Sequence, residues 1–340
     1  MAVTIKDVAR MANVSVASVS RALNGNGGVT PETQARIREA AARLHYVPHN
    51  AARSLITRRT NTIGALLPDL HGAFFSELIR GIDLAARSRG LYLLVSSSHG
   101  DATEAAVALR AMQGRVDGLL VMSPHADEAF LDENLPTSLP TVLINSHVRS
   151  DRHASLDVDD FGGAHAMTEH LIGLGRKRIV FIAGPEVNHD VQERIRGYRE
   201  ALNAAGMGDR AAVLPGDFTE ESGYQAGKQA LAMVPRPDAI FAANDMMAIG
   251  CLSALSEAQV RTPQDIAVVG FDDIPMARYV TPSLTTVRIR IAELGEAALE
   301  RLVQMIETPE DEAPRPRAVV GTELVVRASC GGSDMARRRA

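Results

Sequence analysis

The side chains best suited to binding chemistry in this sequence are amides and carboxylates that directly follow short apolar segments. Asn145, Asn244 and Asp272 each stand just past a segment predicted to be a buried strand. Such groups form paired hydrogen bonds with hydroxyl groups, while aromatic rings pack on the C–H faces of a sugar. Phe74 and Phe75 place two adjacent rings soon after the first predicted core strand. The pattern predicts a pocket for a small polar ligand.

Each of these residues also has a purely structural interpretation. Asn and Asp are favoured as helix caps and turn residues, so each could serve only its own loop. Phe74 and Phe75 could both pack in the core, or one ring could pack there while the other contacts the ligand. Polar groups that converge at strand ends in both halves of the chain nevertheless favour a ligand site, to which Asp69 is a weaker addition.

The elements that must position these residues alternate between strand and helix from Thr62 onward. This alternation predicts an α/β bilobed core of two doubly wound parallel sheets, with the ligand at the carboxyl ends of the strands. The chain is expected to cross between the halves near 159–160, near 286–289 and after Val319. The predicted strands are Ile63–Leu67, Leu91–Ser96, Gly118–Met122, Thr141–Ile144, Ile179–Ala183, Ala212–Leu214, Ala239–Ala242, Ile266–Gly270 and Glu323–Arg327. The predicted helices are Phe74–Arg89, Thr103–Gln113, Gly162–Leu174, Val191–Ala205, Glu220–Met233, Met246–Ala258 and Ile291–Ile306.

The first 46 residues predict a separate all-α helix-turn-helix unit. Thr4 and Asp7 form a capping box for a first helix, and Ser15 caps a second helix that runs from Val16 to Leu23. A third helix begins with Thr30 as its cap and ends near His45. On the second helix the residues left facing solvent or a DNA groove are Val16, Ala17, Ser18 and Arg21.

The charge distribution favours nucleic acid for this unit alone. The 340 residues carry a net charge of −5, but residues 1–60 hold nine bases and three acids, a net charge of +6. The remainder therefore carries −11. A basic domain on an acidic body is expected when one end binds phosphates, although a solvated basic surface has the same composition.

Composition and motifs exclude several other classes. There is no apolar run of about 18 residues and no secretory signal, so no membrane partner and a cytoplasmic location are expected. Cys251 and Cys330 are expected to be buried, reduced thiols, and they cannot supply a disulfide framework or a four-ligand metal site. No cofactor or metal is predicted. An enzyme using Asp272 and Asp273 is one alternative function, but the common catalytic motifs are missing. A transport receptor is another, but it would need no basic headpiece.

The segment VTIKDVARMANVSVASVSRALN, residues 3–24, resembles the headpiece of the LacI/GalR family of bacterial transcriptional regulators. The segments GRKRIVFIAG, ANDMMAIG and VGFDD, which begin at Gly175, Ala243 and Val269, resemble landmarks of that family's core, which is similar to periplasmic sugar-binding proteins. The likeness covers residues 3–329. It implies a sequence-specific regulator, a repressor in most members, that binds palindromic operator DNA as a homodimer and responds to a small effector.

The resemblance also implies roles for individual residues in DNA binding. Pro48–Leu55 corresponds to a hinge helix that folds on DNA, where Leu55 would wedge into the minor groove. A plain linker is the alternative. The implied DNA contacts are Thr4, Ser15, Val16, Ala17, Ser18, Ser20, Arg21, Asn24 and Leu55.

For the effector, the resemblance implies that Arg194 reaches hydroxyl or carboxylate groups and that Phe218 stacks on the ligand. Gly72 and Ala73 stand where relatives often have Asn-Pro. The combination favours a monosaccharide or a sugar acid over a purine. The expected ligand contacts are Phe74, Phe75, Asn145, Arg194, Phe218, Asn244 and Asp272.

The expected domains are a headpiece (1–46), a hinge and linker (47–61), a core (62–330) and a flexible tail (331–340). Within the core, lobe 1 is expected at about 62–159 and 289–320, and lobe 2 at about 160–288 and 321–330.

Overall fold

The structure is a computed structural model that describes residues 3–24, 28–46, 59–123, 127–136, 138–146, 148, 153–308 and 317–332. The chain divides into two compact units, residues 1–60 and 61–340. The described residues of the first form three helices, α1 (Ile5–Ala12), α2 (Val16–Asn24) and α3 (Pro31–Arg43).

The three headpiece helices pack around a small core in which Val8, Val19 and Ile37 have no exposed surface. The Asp7 carboxylate accepts the Thr4 N–H at 3.0 Å, as the predicted capping box requires. Thr30 caps α3 as predicted, because its side chain accepts the N–H of Thr33.

In the second unit, the residues that the structure describes form two six-stranded sheets. Sheet A has the order β11-β5-β4-β3-β1-β2, and all its strands are parallel. Its strands are β1 (Thr62–Leu67), β2 (Tyr92–Ser97), β3 (Gly118–Val121), β4 (Thr141–Ile144), β5 (Ala154–Val158) and β11 (Arg317–Val320). Sheet B has the order β12-β10-β9-β8-β6-β7. Its strands are β6 (Ile179–Ile182), β7 (Ala212–Leu214), β8 (Ala239–Ala242), β9 (Ala267–Asp272), β10 (Thr285–Arg288) and β12 (Glu323–Val325).

Helices cover these sheets. Those described are α4 (Ala73–Ser88), α5 (Ala102–Met112), α6 (Glu128–Asn134), α7 (Asp160–Gly173), α8 (His189–Ala204), α9 (Glu220–Ala232), α10 (Asp245–Glu257) and α11 (Ile291–Glu307), with 3-10 turns at Gly208–Arg210, Pro275–Arg278 and Ala328–Cys330. We call sheet A with its helices lobe 1 and sheet B with its helices lobe 2. Helix α11 packs on α4 in lobe 1, and the chain passes between the lobes after β5, after β10 and after β11.

The predicted pair of doubly wound sheets is confirmed, with one difference. Strand β12 runs antiparallel to β10 at the edge of sheet B. An edge strand pairs on one side only, so it can enter in either direction without disturbing the parallel core.

Four elements were not predicted: α6, β5, β10 and β11. Strand β5 is buried although it contains Ser155 and Asp157, because the Asp157 carboxylate accepts bonds from Ser146 N and Arg317 Nε. The chain crosses between the lobes directly after β10, close to the crossing expected near 286–289, although residues 286–288 themselves belong to that strand. Within β10 the Thr286 hydroxyl donates to the Asp245 carboxyl group, so this polar side chain is satisfied although it is buried.

Cys251 and Cys330 are both free and buried, as predicted. No helix formed by the described residues has both the length and the apolarity needed to span a bilayer.

Candidate functional site

The main cleft of the second unit lies at the carboxyl ends of the strands and is lined by both lobes. Its volume is about 430 Å³, within the range typical of small-molecule sites, roughly 300–1,000 Å³. All seven side chains expected to contact a ligand line this cleft: Phe74, Phe75, Asn145, Arg194, Phe218, Asn244 and Asp272. Asp69, the weaker candidate, lines it too. Residues far apart in the sequence converge because parallel strands end at one edge of a sheet.

Arg194 is the central charge of the cleft. It projects from α8 with only 5% of its side chain exposed. Its Nε donates to Asp160 at 2.7 Å, its Nη1 donates to the Ala243 carbonyl, and Nη1 lies 3.7 Å from Asp272. The guanidinium stacks on Phe271, with Cζ 3.8 Å from the ring centroid. The side chain is thus held rigidly at the cleft floor.

The carboxyl groups around Arg194 have perturbed pKa values. Burial raises the pKa of Asp160 and that of Asp272 to about 7, although Arg194 opposes the rise in both cases. The neighbouring Asp190 carboxylate adds to the rise by repulsion. The main cause is loss of solvation of the charged form on burial, and repulsion between neighbouring acids adds to it.

Aromatic rings form the apolar walls of the cleft. Phe74 and Phe75, at the start of α4, are half-buried, with centroids 5.5 Å apart and planes at 86°. Phe218 has a φ of +72° and packs over Gly184, where a Cβ atom would lie 2.6 Å from the ring. All three rings therefore pack on the core and also face the cleft.

The two asparagines of the cleft make different hydrogen bonds. Asn244 caps α10, since its Oδ1 accepts from Met247 N and its Nδ2 donates to the Phe218 carbonyl. The structural interpretation weighed for Asn244 is therefore realised, although the residue also lines the cleft. Asn145 is 7% exposed and donates from Nδ2 to Asp190 across the two lobes at 3.2 Å.

Two site residues escaped the sequence analysis. Asp160 pairs with Arg194, and Asp190 bonds Asn145. Both stand in the first turn of a helix, α7 and α8, where acids are ordinary because of the helix dipole. Asp190 stands four residues before Arg194, on the same face of α8, and this spacing was the available signal.

In the headpiece, α2 presents an exposed face. Val16, Ala17 and Arg21 are exposed there, whereas Ser18 and Ser20 are half-buried. Ser15 Oγ accepts the N–H of Ser18 at 3.1 Å, so Ser15 caps α2 as predicted. Such a face, with one long donor between short side chains, fits the width of a major groove.

Two other expected DNA contacts give less information. Asn24 ends α2, and Leu55, with the predicted hinge helix, lies outside the described residues.

Comparisons with known proteins agree with this architecture. Residues 4–49 match the model of the bacterial regulatory proteins, lacI family, and residues 168–330 match that of a periplasmic binding protein-like domain. The ribose operon repressor of Escherichia coli (strain K12) is 38% identical over 311 residues, 90% of this chain and 94% of that protein.

Two solved structures are similar to this chain, one over nearly its whole length and the other over about four fifths of it. The lac repressor dimer bound to operator and the anti-inducer ONPF has a TM-score of 0.86 at 28% identity, covering 97% of this chain and 99% of that one. A LacI family regulator from Enterococcus faecium with bound ribose has a TM-score of 0.71 at 28% identity, covering 79% of this chain and 98% of that one.

A helix-turn-helix unit carried on the same chain as a two-lobed core with a polar cleft defines the class of ligand-responsive DNA-binding regulators. Within that class, this chain belongs to the LacI family of bacterial regulatory proteins.

Proposed function

We propose that this chain is a transcriptional repressor whose affinity for a palindromic operator changes when a monosaccharide-sized ligand binds between the lobes. The observation that supports the proposal is the cleft itself, because aromatic, amide and charged side chains from both lobes line it together. Two relatives support the sugar class: the E. coli relative is named a ribose operon repressor, and the E. faecium structure contains bound ribose.

The domains follow from this assignment. Residues 1–46 are the DNA-binding headpiece, 47–61 the hinge and linker, 62–330 the effector core and 331–340 a tail. In the core, lobe 1 takes about 62–159 and 289–320, and lobe 2 takes about 160–288 and 321–330.

On the ligand side, Arg194 and Asp272 orient hydroxyl groups, and Asn145 contacts the ligand from the other lobe. Phe74, Phe75 and Phe218 cover its C–H surfaces. Asn244 would contact the ligand while it continues to cap α10.

On the DNA side, Val16, Ala17 and Arg21 meet base edges, and Thr4, Ser15, Ser18, Ser20 and Asn24 serve the backbone. Leu55 is assigned to the minor-groove wedge.

Ligand binding would act by population shift. A ligand held by both lobes favours their closed arrangement, and it changes operator affinity only as far as it prefers that arrangement. The Asn145–Asp190 hydrogen bond already joins the lobes at this place, which supports the cleft as the origin of the switch.

A homodimer completes the proposed operator reader, since a palindromic site matches a two-fold axis. Leu84, Tyr92 and Leu94 are exposed apolar side chains on α4 and on the edge strand β2, and we assign them to the subunit contact. Tyr92→Glu should shift the chain toward monomer in sedimentation velocity. Val234→Glu, at a side chain that is 97% exposed, is the matched control.

The chain is proposed to bind its ligand without converting it. Asp273, the second acid of the pair weighed as catalytic, is 1% exposed at its side chain and is held by Arg288 and Arg327. Incubation with candidate sugars should give stoichiometric binding and no product. Turnover of any bound sugar would restore the enzyme alternative.

The test of the main proposal begins with selection of binding sites from random DNA by the full-length chain. Recovered sites should be palindromic, and their affinity should change on addition of a sugar that raises the thermal unfolding midpoint. A variant lacking residues 1–60 should bind the sugar but not the DNA. Operator binding that survives this deletion would refute the headpiece assignment.

Leu55→Ala tests the wedge separately. It should weaken binding to the selected site more than binding to unrelated DNA, because only in the specific complex do added contacts offset the free energy of kinking the DNA. Equal losses on both DNAs would count against a wedge at this residue.

A further inference from the structure

The cleft carries an excess of negative charge. Arg194 is the single lysine or arginine among the described residues that line it. The lining acids are Asp69, Asp190, Asp217, Glu220 and Asp272. Asp160, behind Arg194, adds a further carboxyl group. His71 and His99 also face the cleft, but both are exposed and neither offsets the acids when neutral.

The acids nearest the cleft floor outnumber their cation three to one. Asp160 and Asp272 are both ion-pair partners of Arg194, and Asp190 is close enough to repel both. The guanidinium donates to Asp160 and to the Ala243 carbonyl and lies 3.7 Å from Asp272, so its single positive charge is already shared by two carboxyl groups. Above pH 7, where Asp160 and Asp272 ionise, a sugar acid would therefore add another negative charge to this cluster without gaining a new cation, which is unfavourable in a buried site.

Hydrogen bonding in the same place favours a ligand that donates. Asp190 and Asn145 are joined by a hydrogen bond in which the carboxylate can only accept, so the amide must present Nδ2 to Asp190. The Asn145 Oδ1 atom therefore points away from Asp190. It is buried in a residue that lines the cleft, and no donor among the described residues reaches it. A buried acceptor left in this state costs about 1–3 kcal/mol, which a ligand donor would recover.

We infer that the cleft recognises an amino sugar, with the ligand's ammonium group bound between Asn145 Oδ1 and the carboxylates of Asp190 and Asp272. The inference rests on the proposed function, because it names the ligand class of the same cleft. An ammonium group supplies three donors and one positive charge. It can therefore donate a hydrogen bond to the unpartnered Asn145 oxygen and also balance the excess of acidic groups. A hydroxyl group at that position supplies one donor and no charge.

This assignment narrows the ligand classes expected from the sequence. A monosaccharide remains, whereas a sugar acid is disfavoured by the charge of the cluster. It also gives the Asn145–Asp190 pair a functional role, because an ammonium group held by one residue from each lobe would favour the closed arrangement.

The experiment compares matched sugars on the full-length protein at about pH 7.5, above the pKa of about 7 of Asp160 and Asp272, by thermal shift and then by calorimetry. The probes are D-glucosamine, D-galactosamine and D-mannosamine, each beside its parent hexose, its N-acetyl derivative and the corresponding hexuronate. At least one amino sugar should bind about tenfold or more tightly than its parent, since a hydrogen bond to a charged group exceeds a neutral one by about that factor. Acetylation, which removes the charge, should abolish the advantage.

Asp190→Asn is the diagnostic variant because it removes the charge and keeps the shape. It should lower the ratio of amino-sugar to parent affinity toward one. Asp272→Asn is a second variant with the same expectation, and asparagine has nearly the same shape as the aspartate that already adopts a φ of +111° at this position. Asp209→Asn, on the exposed surface of lobe 2, changes the net charge equally and should leave the ratio unchanged.

The outcomes separate this inference from the proposed function. Parent hexoses or hexuronates that bind as tightly as the amino sugars would overturn the inference and leave the sugar-binding cleft intact. An advantage that persists in both Asp190→Asn and Asp272→Asn would overturn the assigned position of the ammonium group. If no member of the panel binds but ribose does, the inference is overturned and the proposed function stands, whereas failure of both the panel and ribose to bind would overturn the monosaccharide proposal itself.

Discussion

Replacing Arg194 with methionine should destabilise the core in a strongly pH-dependent manner. Methionine keeps an unbranched side chain that can still pack on Phe271, so the change removes mainly the guanidinium and its bonds. What remains is a buried pair of carboxyl groups, Asp160 and Asp272, with no cation between them.

The distances set the magnitude. With an effective dielectric constant of about 20, a pair at the 2.7 Å of Asp160 contributes about 6 kcal/mol, and one at the 3.7 Å of Asp272 about 4 kcal/mol. Removing the arginine also removes the cost of burying it, so the net loss from a broken buried pair is about 3–5 kcal/mol. That is a large share of a typical stability of about 5–15 kcal/mol.

The pH dependence follows from the pKa values of the two acids. Burial raises the pKa of Asp160 and Asp272 to about 7 in the folded protein, against 3.8 for the ordinary group. The folded state thus binds protons more tightly than the unfolded state, and stability decreases as the pH rises between these values. Without Arg194, which opposes the rise, both pKa values should move higher. The loss should therefore approach its full size near pH 8 and fall to the cost of lost hydrogen bonds, about 1–3 kcal/mol, near pH 5.5.

The assay is urea unfolding followed by circular dichroism at both pH values, with the protein concentration held fixed because a dimer would link stability to it. Arg196→Met is the matched control. Arg196 lies on the same helix, is 58% exposed at its side chain and pairs with Glu193 on the surface. It should lose less than about 1 kcal/mol at either pH. A loss from Arg194→Met below about 1 kcal/mol near pH 8, or equal losses at both pH values, would refute the reasoning.

Two further predictions concern packing and capping. Gly81→Ala should destabilise the core by about 1–3 kcal/mol, because the new Cβ would lie 2.0 Å from the Ala292 carbonyl oxygen where α4 meets α11. Gly173→Ala meets no atom within 4 Å and should be neutral or stabilising in the same thermal unfolding experiment, and equal effects at the two sites would contradict the packing argument. Ser15→Ala should cost the headpiece about 1 kcal/mol through loss of the bond to Ser18 N, whereas Ser15→Asp should restore the cap. Heat denaturation of residues 1–60 would measure both, and an unchanged midpoint for Ser15→Ala would exclude the cap as a source of stability.

The headpiece was predictable from sequence because its determinants are local. The cap Ser15, the breaker glycines after Asn24 and the apolar spacing of Val8, Val19 and Ile37 act over a few residues, and helices depend on such short-range signals. The alternating elements of the core were predictable for the same reason. Their apolar runs are long enough to identify buried strands without knowing their neighbours.

Strands with polar residues were not predictable in this way. Strands β5 and β10 are buried although Asp157 and Thr286 interrupt their apolar pattern, and each polar group is satisfied by a partner distant in sequence, Arg317 and Asp245 respectively. A sequence window cannot contain both members of such a pair. The burial of these strands was therefore decided by the tertiary structure alone.

For the cleft, the sequence determined which amides, carboxylates and rings follow the strands, and the family resemblance added Arg194 and Phe218; all seven expected ligand contacts line one volume. The sequence did not determine which ion pairs and hydrogen bonds these side chains form. That Arg194 is enclosed by Asp160 and Asp272, and that Asn145 meets Asp190 across the lobes, depends on how separate segments are brought together. Electrostatic and hydrogen-bond energies vary with distances of a few ångströms and with burial, and both quantities exist only in the folded chain.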